Sequence, residues 1–210
     1  MSKKIITLVS ASLFLASSVL AEGLIGLKYG TGELEATKNA YTAGATTYAA
    51  QTKTEDSDFG AIFLELNAPS VEGLSFGIEY IPYNATVSVD GNSSDSHATL
   101  SNHTTLYGLV SRDVGNVSAF LKAGYAHADI SNVKANYDST TINSHDSNMS
   151  GPMIGFGLQS EIQSLVGRLE VTYTDYDSIG VTTTSNGSAS VKKTADAELM
   201  TLSVSIAKAF

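Results

Sequence analysis

Large apolar side chains take every second place in the stretch that ends this chain. Met200, Leu202, Val204 and Ile206 are separated by Thr201, Ser203, Ser205 and Ala207. A period of two puts the two sets on opposite faces of a strand. The beat returns in Ile25–Leu27–Tyr29, set against Gly26, Lys28 and Gly30. It returns in Ile62–Leu64–Leu66 against Phe63 and Glu65, and in Leu74–Phe76–Ile78–Tyr80 against Ser75, Gly77 and Glu79. Further on, Val117–Ala119–Leu121–Ala123–Tyr125 opposes Ser118, Lys122, Gly124 and Ala126. Pro152–Ile154–Phe156–Leu158 opposes Met153, Gly155, Gly157 and Gln159, and Leu169–Val171–Tyr173 opposes Arg168, Glu170 and Thr172. An eighth strand over 104–112 has no readable phase, because Leu106, Tyr107, Leu109 and Val110 occupy both faces.

The connections constrain the arrangement further. On these boundaries they run 20, 7, 14, 4, 20, 6 and 21 residues, long and short in strict alternation. Such sorting describes an up-and-down meander with all the long links at one end, whereas Greek-key links in a β-sandwich have no reason to sort this way. The short links carry turn chemistry, as in Asp113-Val-Gly-Asn116 and the Pro69–Gly73 stretch. Pro82 cannot donate to a ladder and predicts a bulge or a break at the end of its strand.

The chain opens Met-Ser-Lys-Lys, runs apolar from Ile5 to Leu20 and reaches Ala-Glu-Gly. This reads as a secretory signal peptide over 1–21, cut after Ala21, with a single domain over 22–210. An uncleaved anchor is the other reading, but the run is short for a membrane helix. Loss of Lys3 and Lys4 leaves 10 basic against 21 acidic residues, a formal charge of −11. No basic patch survives, which argues against nucleic acid as a partner. With no Cys in an exported chain, no disulfide framework holds it. Nothing after the leader offers the roughly 20 apolar residues a membrane helix needs. The mature chain is then either soluble or crosses a membrane as a closed barrel.

Three features favour the membrane barrel. Tyr29, Tyr80, Tyr125 and Tyr173 each fall on the apolar face, seven to nine residues into a strand, and predict an aromatic belt at one height. At about 3.3 Å per residue and 40° of tilt, eight residues climb roughly 20 Å, close to the apolar band of such barrels. Lys28, Glu79, Lys122, Arg168 and Glu170 all fall on the opposite face. Inside an eight-stranded barrel they must pair, since an isolated buried charge costs several kcal/mol or more. The long connections are rich in Ser, Thr, Asn, Asp and Gly, cannot pack a core, and are expected to be mobile.

On these residues the chain resembles the small outer-membrane β-barrel proteins of Gram-negative bacteria. It is similar to the eight-stranded group that contains the OmpA transmembrane domain, OmpX-like proteins and opacity-type surface proteins. Carriers of the likeness are the leader, the strand–turn–strand plan, Gly155-Phe-Gly-Leu-Gln followed by Gly167-Arg-Leu-Glu-Val-Thr-Tyr, and Phe210. The resemblance implies an all-β fold: a closed antiparallel up-and-down transmembrane barrel of about eight strands. It implies passage through the periplasm to the outer membrane, contact with its lipid and lipopolysaccharide, and a monomeric state. Phe210 then serves as the assembly signal read by the barrel-assembly machinery. Lys208 stands where the family often has an aromatic residue, and a lysine there can snorkel to the headgroups.

Chemistry is sparse. His127, Asp129 and Ser131 form the single local set of histidine, acid and hydroxyl, and read as exposed polar residues at a strand end. His97, His103 and His145, with Asp90, Asp95, Asp138 and Asp146, show no tight ligand spacing and read as solvated loop residues. No motif implies a cofactor, a metal or an enzyme. The expected role is structural or adhesive, with mobile acidic loops meeting host or envelope surfaces. A narrow ion channel is the alternative, and a lipid-modifying enzyme built on His127 is a more distant one. A charge at Val204 is expected to cost about 2–4 kcal/mol, and one at Ser203 to be tolerated.

Overall fold

Alternation of apolar and polar residues from end to end leaves each strand with two usable faces, and the chain satisfies both by closing on itself. The computed structural model describes residues 22–82, 84–88, 97–134, 140–185 and 190–210. The leader at 1–21 lies outside the described residues, as do Asp90, Asp95 and Asp138.

The strands are β1 (Gly23–Lys38), β2 (Tyr41–Ala43), β3 (Thr46–Tyr48), β4 (Gln51–Asn67), β5 (Leu74–Ile81) and β6 (Ala85–Ser88). They continue with β7 (His97–Val114), β8 (Val117–Lys134), β9 (Thr140–His145), β10 (Asn148–Ile162), β11 (Leu165–Ser185) and β12 (Val191–Ala209). Eight of them form the wall, each paired antiparallel with its neighbour in the order β1, β4, β5, β7, β8, β10, β11, β12. β12 returns to pair with β1 from Leu24↔Ala209 to Lys38↔Ala195, so the ring is closed. Closure satisfies the backbone of the first and last strands, which lipid would otherwise leave unpaired.

One end of the ring is made of tight turns. Residues 115–116 and 163–164 join their strands directly, with Gly115 at φ 70° and Gln163 and Ser164 at φ 53° and 63°. Positive φ at Gln163 and Ser164, and at the first central residue Gly115, suits hairpins whose twist matches their strands. The other end is extended. Much of the sequence expected to be mobile loop is paired strand there: β1 meets β4 out to Lys38↔Gln51, and β11 meets β12 out to Thr183↔Val191. The hairpin of β2 and β3 stacks Tyr41 on Tyr48 with ring centroids 4.8 Å apart. Two polar faces in the same strand are stable in water as long as the ladder is made, so low hydrophobicity there does not mean disorder. The strand through Leu74 stops at Ile81, next to Pro82, and β6 resumes after it, paired among the described residues with β7.

The phase of the seventh strand is settled by the ring. Leu106 and Val110 point outward, and Tyr107 and Leu109 point in. On β12, Met200, Leu202, Val204 and Ile206 face outward while Thr201, Ser203 and Ala207 are buried inside. Ile25, Leu27, Ile62, Phe76, Leu121, Ile154, Phe156 and Leu169 are likewise exposed. A continuous belt of this kind is stable against hydrocarbon and not against water.

Three inward glycines make the interior possible. Gly26 lies opposite Phe63, Gly77 opposite Tyr107, and Gly157 opposite Phe120 on the adjacent strand. A Cβ at each would stand 2.4, 2.5 and 2.4 Å from the facing ring. The rings fill the space that those glycines leave.

Candidate functional site

The interior is polar at mid-wall because alternate strands of the ring, β1, β5, β8 and β11, each deliver a charged residue to it. Lys28 from β1 contacts Glu79 Oε2 of β5 at 2.5 Å and Glu170 Oε1 of β11 at 2.6 Å. Lys122 from β8 reaches the same two oxygens at 3.0 and 3.2 Å, and its ammonium lies 3.8 Å from the Tyr107 ring centroid. Two cations and two anions, all buried, form a neutral four-membered cluster across the lumen. Charges removed from water persist only with such compensation.

Arg168 does not join this cluster. It forms a separate fork with Glu65 of β4, Nη1–Oε1 at 2.5 Å and Nη2–Oε2 at 2.7 Å, and its Nε donates to Gln159 at 2.8 Å. Tyr107 donates to the same Glu65 at 2.8 Å. The guanidinium is held between Phe63 and Phe120, 5.5 and 5.3 Å from their centroids. A bidentate pair flanked by two aromatic rings is a setting that arginine fills and lysine does not. Glu65 is the member that sequence reasoning missed. Its inward phase was visible, but its partner lies 103 residues away in the chain.

The four tyrosines lie on the outer surface, and each hydroxyl finds a polar partner at the top of the apolar belt. Tyr29 donates to Asp58 at 3.2 Å, Tyr80 to Asn102 at 3.1 Å and Tyr125 to Asp177 at 3.4 Å, and Tyr173 bonds Glu198. An amphipathic ring with its polar tip bonded outward suits a membrane interface.

Above the girdle the outer surface is acidic, with Glu33, Glu35, Asp56, Asp58, Asp175, Asp177 and Glu198 exposed. Asp196 accepts from Ser178 and, at 3.0 Å, from Asn39, bonds that hold its carboxyl below the usual range. The cluster around His127 is rearranged relative to the sequence reading. His127 Nδ1 lies 2.8 Å from Ser150 Oγ and Nε2 lies 3.6 Å from Asp129, whereas Ser131 donates to the Thr99 carbonyl instead. His145 Nδ1 meets the Asp146 carbonyl, and Asp146 accepts from Gly180 N. Among the described residues, no group of three or more His, Cys, Asp or Glu side chains could hold a metal ion.

His103 departs furthest from the sequence reading. It sits within β7, one residue above the partner of Tyr80, and turns into the barrel. Its Nε2 shares a 2.6 Å hydrogen bond with Tyr176 OH. Around it, Leu34, Ala126, Ala128, Ile130, Met149 and Tyr176 form an apolar core above the charged layer.

No protein-family model and no curated protein matches the sequence. Solved structures do. AlkL, an outer membrane protein solved in DMPC bilayers, aligns over 90% of this chain and 90% of its own length, with TM-score 0.56 and 12% identity. The chain is a β-barrel of the outer-membrane kind. Ail, the attachment invasion locus protein of Yersinia pestis solved with the heparin analogue sucrose octasulfate, aligns over 90% of the barrel and 99% of its own chain. It shows 10% identity and a TM-score of 0.44. Neisserial surface protein A aligns over 85% and 96%, at 11% identity and TM-score 0.42. At 12% identity the likeness to AlkL is one of fold and nothing finer.

Proposed function

We propose that this protein is a non-conducting barrel of the outer membrane that presents its extended, acidic end to the cell exterior as an interaction surface. The observation that carries the reading is the double plug. Two ion-pair clusters, Lys28–Glu79–Lys122–Glu170 and, nearer the turn end, Arg168–Glu65–Tyr107, occupy the lumen together with Phe63 and Phe120. An eight-stranded barrel has room for side chains and little else. The belt of Leu, Ile, Val and Phe then meets lipid, the tyrosines meet lipopolysaccharide headgroups, and the strands above them stand in water. Partners there are host or envelope surfaces, and the exposed carboxylates suit basic ones. The leader over 1–21 directs export, and the closing strand with Phe210 engages the barrel-assembly machinery.

Two measurements test this. The chain has no Cys, so Thr47→Cys in the β2–β3 hairpin and Glu72→Cys at the turn end report orientation by labelling with an impermeant maleimide. Thr47→Cys is expected to label on intact cells, and Glu72→Cys only after the envelope is opened; the reverse pattern would overturn the topology. A narrow channel is the second reading, favoured by the charges across the lumen axis. Planar-bilayer recordings separate the two: a steady conductance that changes on Glu79→Gln would establish the channel.

A further inference from the structure

Above the tyrosine girdle the two faces of the wall carry opposite charge. β1 pairs with β12 and with β4 up to Lys38 without a register shift. Lys38 therefore shares the inner face with buried Lys28 and Leu34. It stands opposite Ala195 of β12 and Gln51 of β4, and Lys53 is the partner of inward Ala36. Lys193 lies two places from Ala195 along an unbroken strand, so it faces inward too. Cross-strand partners share a face, and diagonal neighbours of this kind sit about 7–8 Å apart, within reach of long side chains. Three lysines on three adjacent strands thus line the inner side of the mouth. Glu33, Glu35, Asp56 and Glu198, on the alternate places, face outward.

Two of these ammoniums are drawn together. Tyr48 covers one face of the Tyr41 ring, and Lys38 Nζ and Lys193 Nζ lie 5.6 and 4.9 Å from the centroid of that same ring. The uncovered face is the one left to both. Lys38 also donates to Gln51 Oε1 at 2.7 Å, a neutral partner. Burial and the charge of Lys38 hold Lys193 below the usual lysine range. The inward carboxylate nearest in register is Glu55, opposite Leu34. Among the described residues, neither it nor any other carboxylate forms an ion pair with Lys38, Lys53 or Lys193. Flexible lysines on a solvated wall would swing apart, so like charges gathered on one ring point to an anion between them.

We propose that Lys38 and Lys193, with Lys53 beside them, bind the phosphate monoester of a small soluble molecule, of the sugar-phosphate class, at the inner edge of the mouth. A monoester carries about −1.5 to −2 charges at neutral pH and three strong acceptor oxygens, which balance two ammoniums and use their several N–H donors. Lysine supplies the compact point charge that such a group takes. The position selects the source. Lys38 stands nine residues beyond Tyr29, which at about 3.3 Å per residue and 40° of tilt is roughly 20 Å above the girdle. A phosphate anchored in the surrounding lipid meets the acidic outer face first and is repelled, whereas a free one enters the mouth, where charge of one sign concentrates it. The inference holds whichever partner the acidic outer face takes.

The test uses the full mature chain refolded in zwitterionic detergent at low salt, with glucose 6-phosphate and glucose as probes in saturation-transfer NMR. Saturable binding of glucose 6-phosphate is expected with a dissociation constant on the order of 1 mM, about tenfold or more tighter than glucose. Lys38→Gln and Lys193→Gln should each weaken it about fivefold or more, with heat-dependent gel mobility confirming that each variant is folded. Lys192→Gln is the control. It removes the same charge one residue away, from the outer face near Asp146, and should leave binding within about twofold. Equal loss in all three variants would reduce the effect to general attraction and overturn the inference. So would binding that survives Lys38→Gln and Lys193→Gln, glucose binding as tightly as its phosphate, or no saturable binding. Displacement of the probe by lipopolysaccharide at matched phosphate concentration would overturn the soluble source.

Discussion

Replacing Lys122 by methionine removes one cation from the four-membered cluster at nearly constant volume and leaves Glu79 and Glu170 sharing Lys28. Each contact at about 3 Å is worth roughly 5 kcal/mol in gross Coulomb energy at an effective dielectric of 20. Lys122 makes two, at 3.0 and 3.2 Å. Against this stands repulsion from Lys28. Both ammoniums rest on Glu79 Oε2, at 2.5 and 3.0 Å, so they are at most 5.5 Å apart and repel by about 3 kcal/mol or more. The lost attraction is then near 7 kcal/mol. Relief of lysine desolvation returns several of these, and loss of the Tyr107 ring contact adds about 1. A net cost of about 3–5 kcal/mol results, the range found on breaking buried ion pairs. Removing an anion as well, in Lys122→Met/Glu79→Gln, restores neutrality with Lys28 and Glu170 still paired, so the double variant should be more stable than the sum of the singles by about 2 kcal/mol or more. Urea titration of barrels refolded into lipid vesicles, read by heat-dependent gel mobility and circular dichroism, measures the cycle. Additivity within about 0.5 kcal/mol would refute the account of the cluster as one balanced unit.

Other substitutions probe the wall and the lumen one contact at a time. Val204→Arg, on the lipid face at 55 % exposure, should cost about 2–4 kcal/mol in the same titration, whereas Glu33→Arg, outward but above Tyr29, should stay within about 0.5. Gly77→Ala should cost about 1–3 kcal/mol by driving the Tyr107 ring off Glu65. Arg168→Lys should be destabilising by a few kcal/mol despite keeping its charge, because the fork to Glu65 is lost and the contacts with the Phe63 and Phe120 rings are weakened. His127→Ala should leave envelope lipids unchanged by mass spectrometry, its Ser150 and Asp129 neighbours being surface contacts.

Where one face of a strand was large and apolar and the other small, the sequence was readable. The placement of Lys28, Glu79 and Lys122 on the inner face followed from that contrast. It failed where the lumen itself is apolar: β7 carries Tyr107 and Leu109 inward because Arg168 and the aromatic rings need packing, and the alternation vanishes. It failed again at the extended end, where both faces are polar and strand looks like loop. Partners across the lumen carry no local signal, so neither Glu65 with Arg168 nor His103 with Tyr176 was visible. Ser203 shows the limit of reading a small polar residue as tolerance. It is 2 % exposed and packs where a Cβ on Gly30 would stand 2.7 Å away, so a charge there is not accommodated.

The facing of glycines by aromatic rings bears on how the wall finds its alignment. A slip of one residue between neighbouring strands turns apolar side chains into the lumen and is rejected at once. A slip of two keeps every face correct, so the alternation that built the strands offers no defence against it. Such a slip sets Phe63 against Leu24 or Lys28 in place of Gly26, and Tyr107 against Ser75 or Glu79 in place of Gly77. The ring then meets a side chain and the seam cannot close. These pairs act as a key cut for one stagger of the sheet, and the stagger sets the tilt and bore of the cylinder.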